Sequence, residues 1–266
     1  MRPFLNLLKA SLSREIKGKA HNFDLISDRF SSDIFRAFNK HPCSKQLHNY
    51  LPIYDLYLSP IRHSVKRVLE IGVEAGDSLK MWEDYFPNAE IHGFDLNPNC
   101  KQFEGGRRFI HIGDQEKISD YDTLPDDFDV VIDDGSHQTK HQIISFKHVL
   151  ANRMRERGIY FVEDVTNRPK TVDFFVQFAH SVNYWPDEID EGDWPKLNDL
   201  SHYVSDPYHL NVIGVSFYRF LIAVQKGRNP ADGHAHFREN RSKYINDIVR
   251  SRREFFDGQV IKPRNL

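Results

Sequence analysis

Apolar residues in this chain gather into short unbroken runs separated by polar turns, the pattern of strands covered on both faces. The runs are Val68-Leu69-Glu70-Ile71, Glu90-Ile91-His92-Gly93-Phe94, Arg108-Phe109-Ile110-His111-Ile112, Phe128-Asp129-Val130-Val131-Ile132 and Gly158-Ile159-Tyr160-Phe161-Val162. Between them the apolar spacing lengthens to three and four. Leu79, Trp82 and Phe86 predict a helix from about Ser78 to Tyr85, and Ile143, Phe146, Val149 and Leu150 predict another from about Ser136 to Met154. Strands alternating with helices predict an α/β fold: a Rossmann-like, seven-stranded, mostly parallel sheet with helices on both faces. Val212 to Tyr218 and Phe220 to Gln225 are expected to finish it as a hairpin-like antiparallel pair.

The flanks have a different pattern. Phe23, Ile26, Phe30, Ile34, Phe35 and Phe38 fall at helical spacing, followed by Tyr50, Leu51, Tyr54, Leu56, Tyr57 and Leu58 before Pro60. They predict an N-terminal helical cap over residues 1–60 whose aromatics serve as core and carry no chemistry. Within it, Met1 to Ala20 mixes Phe4, Leu5, Leu7 and Leu8 with Arg2, Lys9, Arg14, Lys17 and Lys19, an amphipathic helix expected to lie on the protein or on a second subunit. Its apolar part is too short to span a bilayer and lacks the form of a signal peptide. Residues 61–227 form the expected core. It includes a helix from Thr171 to Tyr184 and a substrate-side insertion at about 165–210, with Trp185, Trp194, Tyr203 and Tyr208 among acids, prolines and histidines. Aromatic faces with polar edges suit a carbohydrate or polyketide acceptor. The tail, 228–266, is polar and predicted helical around Lys243 to Phe256, leaving a homo-oligomeric contact open.

Charge narrows the range of partners. A net charge of -2 and a pI near 6.7 give no electrostatic case for nucleic acid. Cys43 and Cys100 lie far apart and indicate neither a disulfide framework nor a zinc site, which fits a reducing cytoplasm.

The chemistry lies where the strands end. Phe128 to Ile132 stops in Asp133-Asp134-Gly135-Ser136-His137, and Gly158 to Val162 stops in Glu163-Asp164. If these strands are parallel neighbours, Asp134, Glu163 and Asp164 converge, and like charges that close need a cation between them. Oxygen ligands favour magnesium. His137 is the better candidate for a base, whereas His141 fits a hydrogen-bonded structural histidine. The first strand runs into Gly72-Val73-Glu74-Ala75-Gly76-Asp77-Ser78, a glycine turn that lets backbone approach an anionic ligand at a helix N-terminus. Asp95, some twenty residues on, is placed to accept ribose hydroxyls, and Asp114 or Gln115 to meet an adenine amino group.

From Tyr50 to Gly227 this pattern resembles the class I S-adenosylmethionine-dependent methyltransferases, and among them the metal-dependent sugar O-methyltransferases of macrolide tailoring. The motifs that carry it are Val68-Leu69-Glu70-Ile71-Gly72, Met81-Trp82, Phe86-Pro87-Asn88-Ala89, Gly93-Phe94-Asp95, Ile132-Asp133-Asp134-Gly135-Ser136-His137, Ser145-Phe146, Gly158 to Asp164 and Ser216-Phe217-Tyr218. The resemblance implies S-adenosyl-L-methionine as methyl donor, magnesium held by Asp134, Glu163 and Asp164, and His137 as base. It places Gly72, Asp95 and Asp114 on the cofactor, and Glu70, Gly76, Ser78, Gln115 and Asp133 complete the expected cofactor contacts. The glycine turn lacks the middle glycine common in that superfamily, and Val165-Thr166-Asn167-Arg168-Pro169 departs from the macrolide enzymes, which bears on the acceptor more than on the reaction.

The expected activity is therefore magnesium-assisted O-methylation of a sugar hydroxyl in a glycosylated natural product or polysaccharide. A catechol or other vicinal diol is an alternative acceptor. Strand, glycine turn, helix and distant acid also describe a nicotinamide-dependent oxidoreductase, and a non-catalytic nucleotide-binding protein would use the acids only to stabilise turns. Neither an Asn-Pro-Pro-Tyr motif nor a suitably placed Pro-Cys pair points to nucleobase methylation.

Overall fold

The computed structural model describes residues 32–165, 169–182 and 212–227. The segment Met1 to Ala20, the apolar positions Phe23, Ile26 and Phe30, the insertion aromatics and the tail all lie outside the described residues. Two helices of the cap are described, α1 (Asp33–Lys40) and α2 (Leu51–Leu58), separated by a short 3-10 turn at Ser44–Gln46. The alternating core follows as β1 (Arg67–Ile71), α3 (Asp77–Tyr85), β2 (Glu90–Asp95), β3 (Arg108–Ile112), β4 (Phe128–Asp133), α4 (Thr139–Asn152), β5 (Met154–Val162), α5 (Pro169–Val182), β6 (Val212–Tyr218) and β7 (Leu221–Lys226).

The sheet has seven strands in the order β3-β2-β1-β4-β5-β7-β6. β7 pairs antiparallel with both β5 and β6. The hairpin forms as expected, but β6 therefore runs in the direction of the core strands and β7 alone is reversed. The register sets Ile71 beside both Phe94 and Asp133, and Asp133 beside Val162. Asp95, which ends β2, and the residues that follow the other strands, Gly72, Asp134 and Glu163, thus emerge together at one end of the sheet.

Both faces of the sheet are covered, which is why its strands are apolar throughout rather than alternating. Val68, Ile91, Val130, Ile132 and Phe161 pack into one buried cluster with Ile34, Leu51, Tyr54, Leu58 and Trp82 from the helices. Leu69, Ile71, Val131, Tyr160 and Val162 fill the other with Phe146, Val149, Leu150 and Phe175. Each such fully buried side chain contributes about 1.5–3 kcal/mol. The C-terminal end of α4 is satisfied by Lys226, whose Nζ donates to the carbonyls of Leu150 at 2.6 Å and Met154 at 2.7 Å.

One helix begins later than periodicity predicts: α4 starts at Thr139 rather than Ser136. The Ser136 amide is taken by Gln115 Oε1 at 2.9 Å, and His137 has φ 57°, a left-handed conformation that cannot begin a right-handed helix. His137 therefore sits in the β4–α4 loop and not in the helix expected from Ser136. No helix of the described residues is long and apolar enough to cross a membrane.

Candidate active site

A cavity of about 780 Å³ opens above the C-terminal ends of β1, β2 and β4. The turn after β1 passes so close to the turn after β4 that a Cβ on Gly72, at φ 94°, would lie 2.2 Å from the Asp134 carbonyl oxygen. Gly76, at φ 71°, starts α3 and packs on Phe103, whose ring a Cβ would meet at 2.6 Å. These two positions require glycine for contact and conformation alike. Asp95 fastens the same turn, its Oδ2 accepting from the Val73 amide at 2.7 Å and the Glu74 amide at 3.3 Å, while its Oδ1 takes the Asn97 amide at 2.8 Å. Gly72, Gly76, Ser78, Asp95, Asp114 and Gln115 all line the cavity, as do Asp134, His137 and Asp164.

At one end of the cavity, Asp134, His137 and Asp164 each present a ligand atom within 4.8 Å of the others. His137 Nε2 stands 3.6 Å from Asp164 Oδ2, and His137 Nδ1 is buried with no hydrogen-bond partner among the described residues. Asp164 is also left-handed, at φ 53°. Its Oδ1 accepts from the Tyr50 hydroxyl at 2.7 Å and lies 3.6 Å from His48 Nδ1. Burial, with the Asp164 hydrogen bond second, keeps the Tyr50 phenol from ionising. His141, read from sequence as a hydrogen-bonded structural histidine, pairs with Ser136 Oγ at 2.8 Å and also lines the cavity.

Three of the expected site residues stand behind the cavity wall. Glu163 is buried, accepting from Lys45 Nζ at 2.7 Å and from the Tyr54 hydroxyl, so its carboxylate faces inward instead of joining the Asp134, His137 and Asp164 group. Burial and then Asp134 push its carboxyl up to about 8, against the pull of Lys45. Glu70 is wholly buried, accepting from Ser78 Oγ at 2.7 Å and Trp82 Nε1 at 3.3 Å, and Lys45 Nζ lies 2.9 Å from its Oε1. It anchors the start of α3 rather than facing a ligand. Asp133 is wholly buried too, accepting from Gln115 Nε2 at 2.8 Å and the Tyr160 hydroxyl at 3.1 Å, and burial raises its carboxyl to about 7.

The residue that organises this layer is Lys45, with a side chain fully buried amid Glu70, Asp134 and Glu163. Burial disfavours its charge, but the three carboxylates outweigh that and hold its proton well beyond the ordinary lysine range. Lys45, Tyr50 and Tyr54 all come from the cap, where no chemistry was expected. The spacing of Tyr50 and Tyr54, one helical turn apart, was the only trace of a polar role, since each hydroxyl finds its partner across more than a hundred residues.

The donor set fits a divalent cation. Carboxylate oxygens of Asp134 and Asp164 converge in the lining of a cavity large enough for a small-molecule ligand, with the His137 imidazole beside them and a further carboxylate, Glu163, behind. Strand order, the reversed β7 and a glycine turn facing the cavity define the class I S-adenosylmethionine-dependent methyltransferase fold.

Within that fold, the chain is similar to O-methyltransferases of mycinamicin VI and of a rhamnosyl-tetracenomycin C. It is 30% identical over 217 residues to the mycinamicin VI 2''-O-methyltransferase of Micromonospora griseorubida, covering 70% of this chain and 50% of that protein. It is 28% identical over 227 residues to the 8-demethyl-8-(2-methoxy-alpha-L-rhamnosyl)-tetracenomycin-C 3'-O-methyltransferase of Streptomyces olivaceus, covering 74% and 54%. Among solved structures, a methyltransferase of the mycinamycin biosynthetic pathway, in complex with Mg, SAH and mycinamycin VI, superposes with a TM-score of 0.63 at 25% identity, covering 74% of this chain and 54% of that one. The chain thus spans about half the length of the curated relatives it matches. No family model matches it.

Proposed function

We propose that the protein transfers a methyl group from S-adenosyl-L-methionine to a sugar hydroxyl of a glycosylated natural product or polysaccharide, with a magnesium ion assisting and His137 as general base. The observation that carries this reading is the convergence of Asp134, His137 and Asp164 in the lining of the glycine-walled cavity. The mycinamicin and tetracenomycin relatives favour a sugar over a catechol or other vicinal diol, and the methyltransferase-type sheet favours methyl transfer over hydride transfer.

A sugar hydroxyl holds its proton about as tightly as water, whose pKa is about 15.7, against about 6.5 for histidine. The gap of roughly 9 units is about 12 kcal/mol, more than a general base supplies alone. Asp134 and Asp164, with Glu163 once released from Lys45, are the residues to hold a divalent cation, which when bound lowers the cost of ionising the acceptor hydroxyl.

The remaining work falls to the chain itself. His137 takes the proton as the hydroxyl oxygen attacks the sulfonium methyl, and Asp164, 3.6 Å from its Nε2, stabilises the imidazolium that results. Tyr50 fixes the orientation of Asp164. The Gly72 turn, fastened by Asp95, sets the wall against which the donor lies. Holding oxygen, methyl carbon and sulfur in line then supplies much of the rate.

Turnover of a panel of glycosides and catechols by Asp134→Ala tests the proposal. The expected result is loss of metal-dependent turnover on glycosides with affinity for S-adenosylhomocysteine largely retained. Wild-type activity that survives exhaustive chelation undiminished would remove the metal from the mechanism.

A further inference from the structure

Lys45 Nζ lies 2.9 Å from Asp134 Oδ2, 2.7 Å from Glu163 Oε1 and 2.9 Å from Glu70 Oε1. An ammonium has three N–H donors and no acceptor; Asp134 and Glu163 accept hydrogen bonds from it, and Glu70 stands within ion-pair distance. The side chain is fully buried, a position a lone charge cannot hold, and the turn Ser44–Gln46 that carries it belongs to the cap and not to the sheet. Two of its partners, Asp134 and Glu163, are residues the proposed function assigns to the metal. The third, Glu70, is tied instead to Ser78 and Trp82.

We propose that Lys45 is a tethered cation that competes with the divalent metal for Asp134 and Glu163, keeping the acidic site assembled when the metal is absent and withdrawing toward Glu70 when it binds. The inference rests on the metal reading above. Without a cation among them, Asp134 and Glu163 would face each other with no positive charge between, leaving the Tyr50 and Tyr54 hydroxyls to tie the cap to the strand-end acids. With the metal bound, a single and a double positive charge share the same oxygens. Even at the effective dielectric of about 20 suited to buried sites, that repulsion outweighs the ordering the ammonium imposes on two short carboxylate side chains. Lys45 thus weakens metal binding while making the metal-free protein stable.

The test is direct binding of Mn²⁺ to the purified full chain without acceptor, followed by the electron paramagnetic resonance signal of the free ion, for wild type, Lys45→Met and Lys45→Gln. Both variants should bind at least about tenfold more tightly than wild type. Their melting temperatures should fall in EDTA and recover with Mg²⁺ more than wild type gains. Unchanged or weaker Mn²⁺ binding by the variants, with wild type binding normally, overturns the competition and leaves the metal reading standing. Absence of binding by all three overturns both. Should neither variant fold, a Mn²⁺-soaked crystal of the wild-type chain decides. Lys45 Nζ displaced from Asp134 or Glu163 supports the competition, and Nζ still within hydrogen-bond distance of both, with Mn²⁺ on both, overturns it.

Discussion

His137 and Asp164 both hold left-handed backbone, at φ 57° and 53°, which costs a residue with a Cβ about 1–3 kcal/mol. That cost is retained at the two positions whose side chains face each other across the acidic end of the cavity. His137→Gly should therefore keep or raise the melting temperature, since glycine relieves the conformation and His137 Nδ1 has no partner to lose among the described residues. Turnover should fall roughly 10²–10⁴-fold, the contribution of a general base. A marked drop in melting temperature, with turnover intact, would make the imidazole structural. Gly72→Ala should do the reverse of relieving strain: its Cβ would press on the Asp134 carbonyl at 2.2 Å, costing stability and affinity for S-adenosylhomocysteine together. Calorimetry of the variant that matched wild type in both would contradict the close approach of the two turns. At this scale the acids and the glycine turn were legible because each sits at the end of an apolar run. Lys45 was not, because its partners Asp134 and Glu163 lie 89 and 118 residues away and nothing local marks a lysine as buried.

Helix α2 does two jobs at once, burying Leu51 and Leu58 in the core while turning Tyr50 and Tyr54 to the strand-end acids. Periodicity identified its apolar stripe and stopped there, since a tyrosine at a core position carries the same hydrophobic signal whether or not its hydroxyl has a task. Tyr54→Phe leaves a buried Glu163 oxygen short of a donor and should cost about 1–3 kcal/mol in chemical denaturation. An unchanged midpoint would mean Lys45 satisfies Glu163 unaided. Six of the seven strands were legible to within a residue at each end, while β5 starts at Met154, four residues before the apolar run that marked it. The start of α4 was not legible either: a loop amide caught by Gln115 and one left-handed histidine displace it, and neither leaves a mark on apolar spacing.

Among the buried carboxyls of the strand ends, two depart from the range near pH 4 in which the unfolded chain would ionise them. Burial raises Asp133 to about 7 and Glu163 to about 8. The folded protein then binds more protons than the unfolded chain between those limits, so this contribution to stability is fully present below the unfolded values and is lost as pH rises through 7 and 8. Melting temperature in EDTA should accordingly decline over that range, and Asp133→Asn should flatten the decline. A slope identical in the variant would place the titration elsewhere. The parallel order and the site at one end of the sheet were legible because alternation of strands and helices limits the topology. The direction of β6 was not, since a hairpin reads the same in sequence whichever of its strands is reversed.

The central claim is that the cavity over β1, β2 and β4 holds S-adenosylmethionine beside a separate metal position. It is tested most directly by calorimetric titration of S-adenosylhomocysteine into the purified chain, first with Mg²⁺ and then with EDTA, which requires no knowledge of the acceptor. Saturable micromolar binding in both conditions is predicted, because the Gly72 turn, Asp95 and Gln115 form that wall without help from the acidic end. No binding to properly folded protein would contradict it and leave the glycine turn and Asp95 as structural features alone.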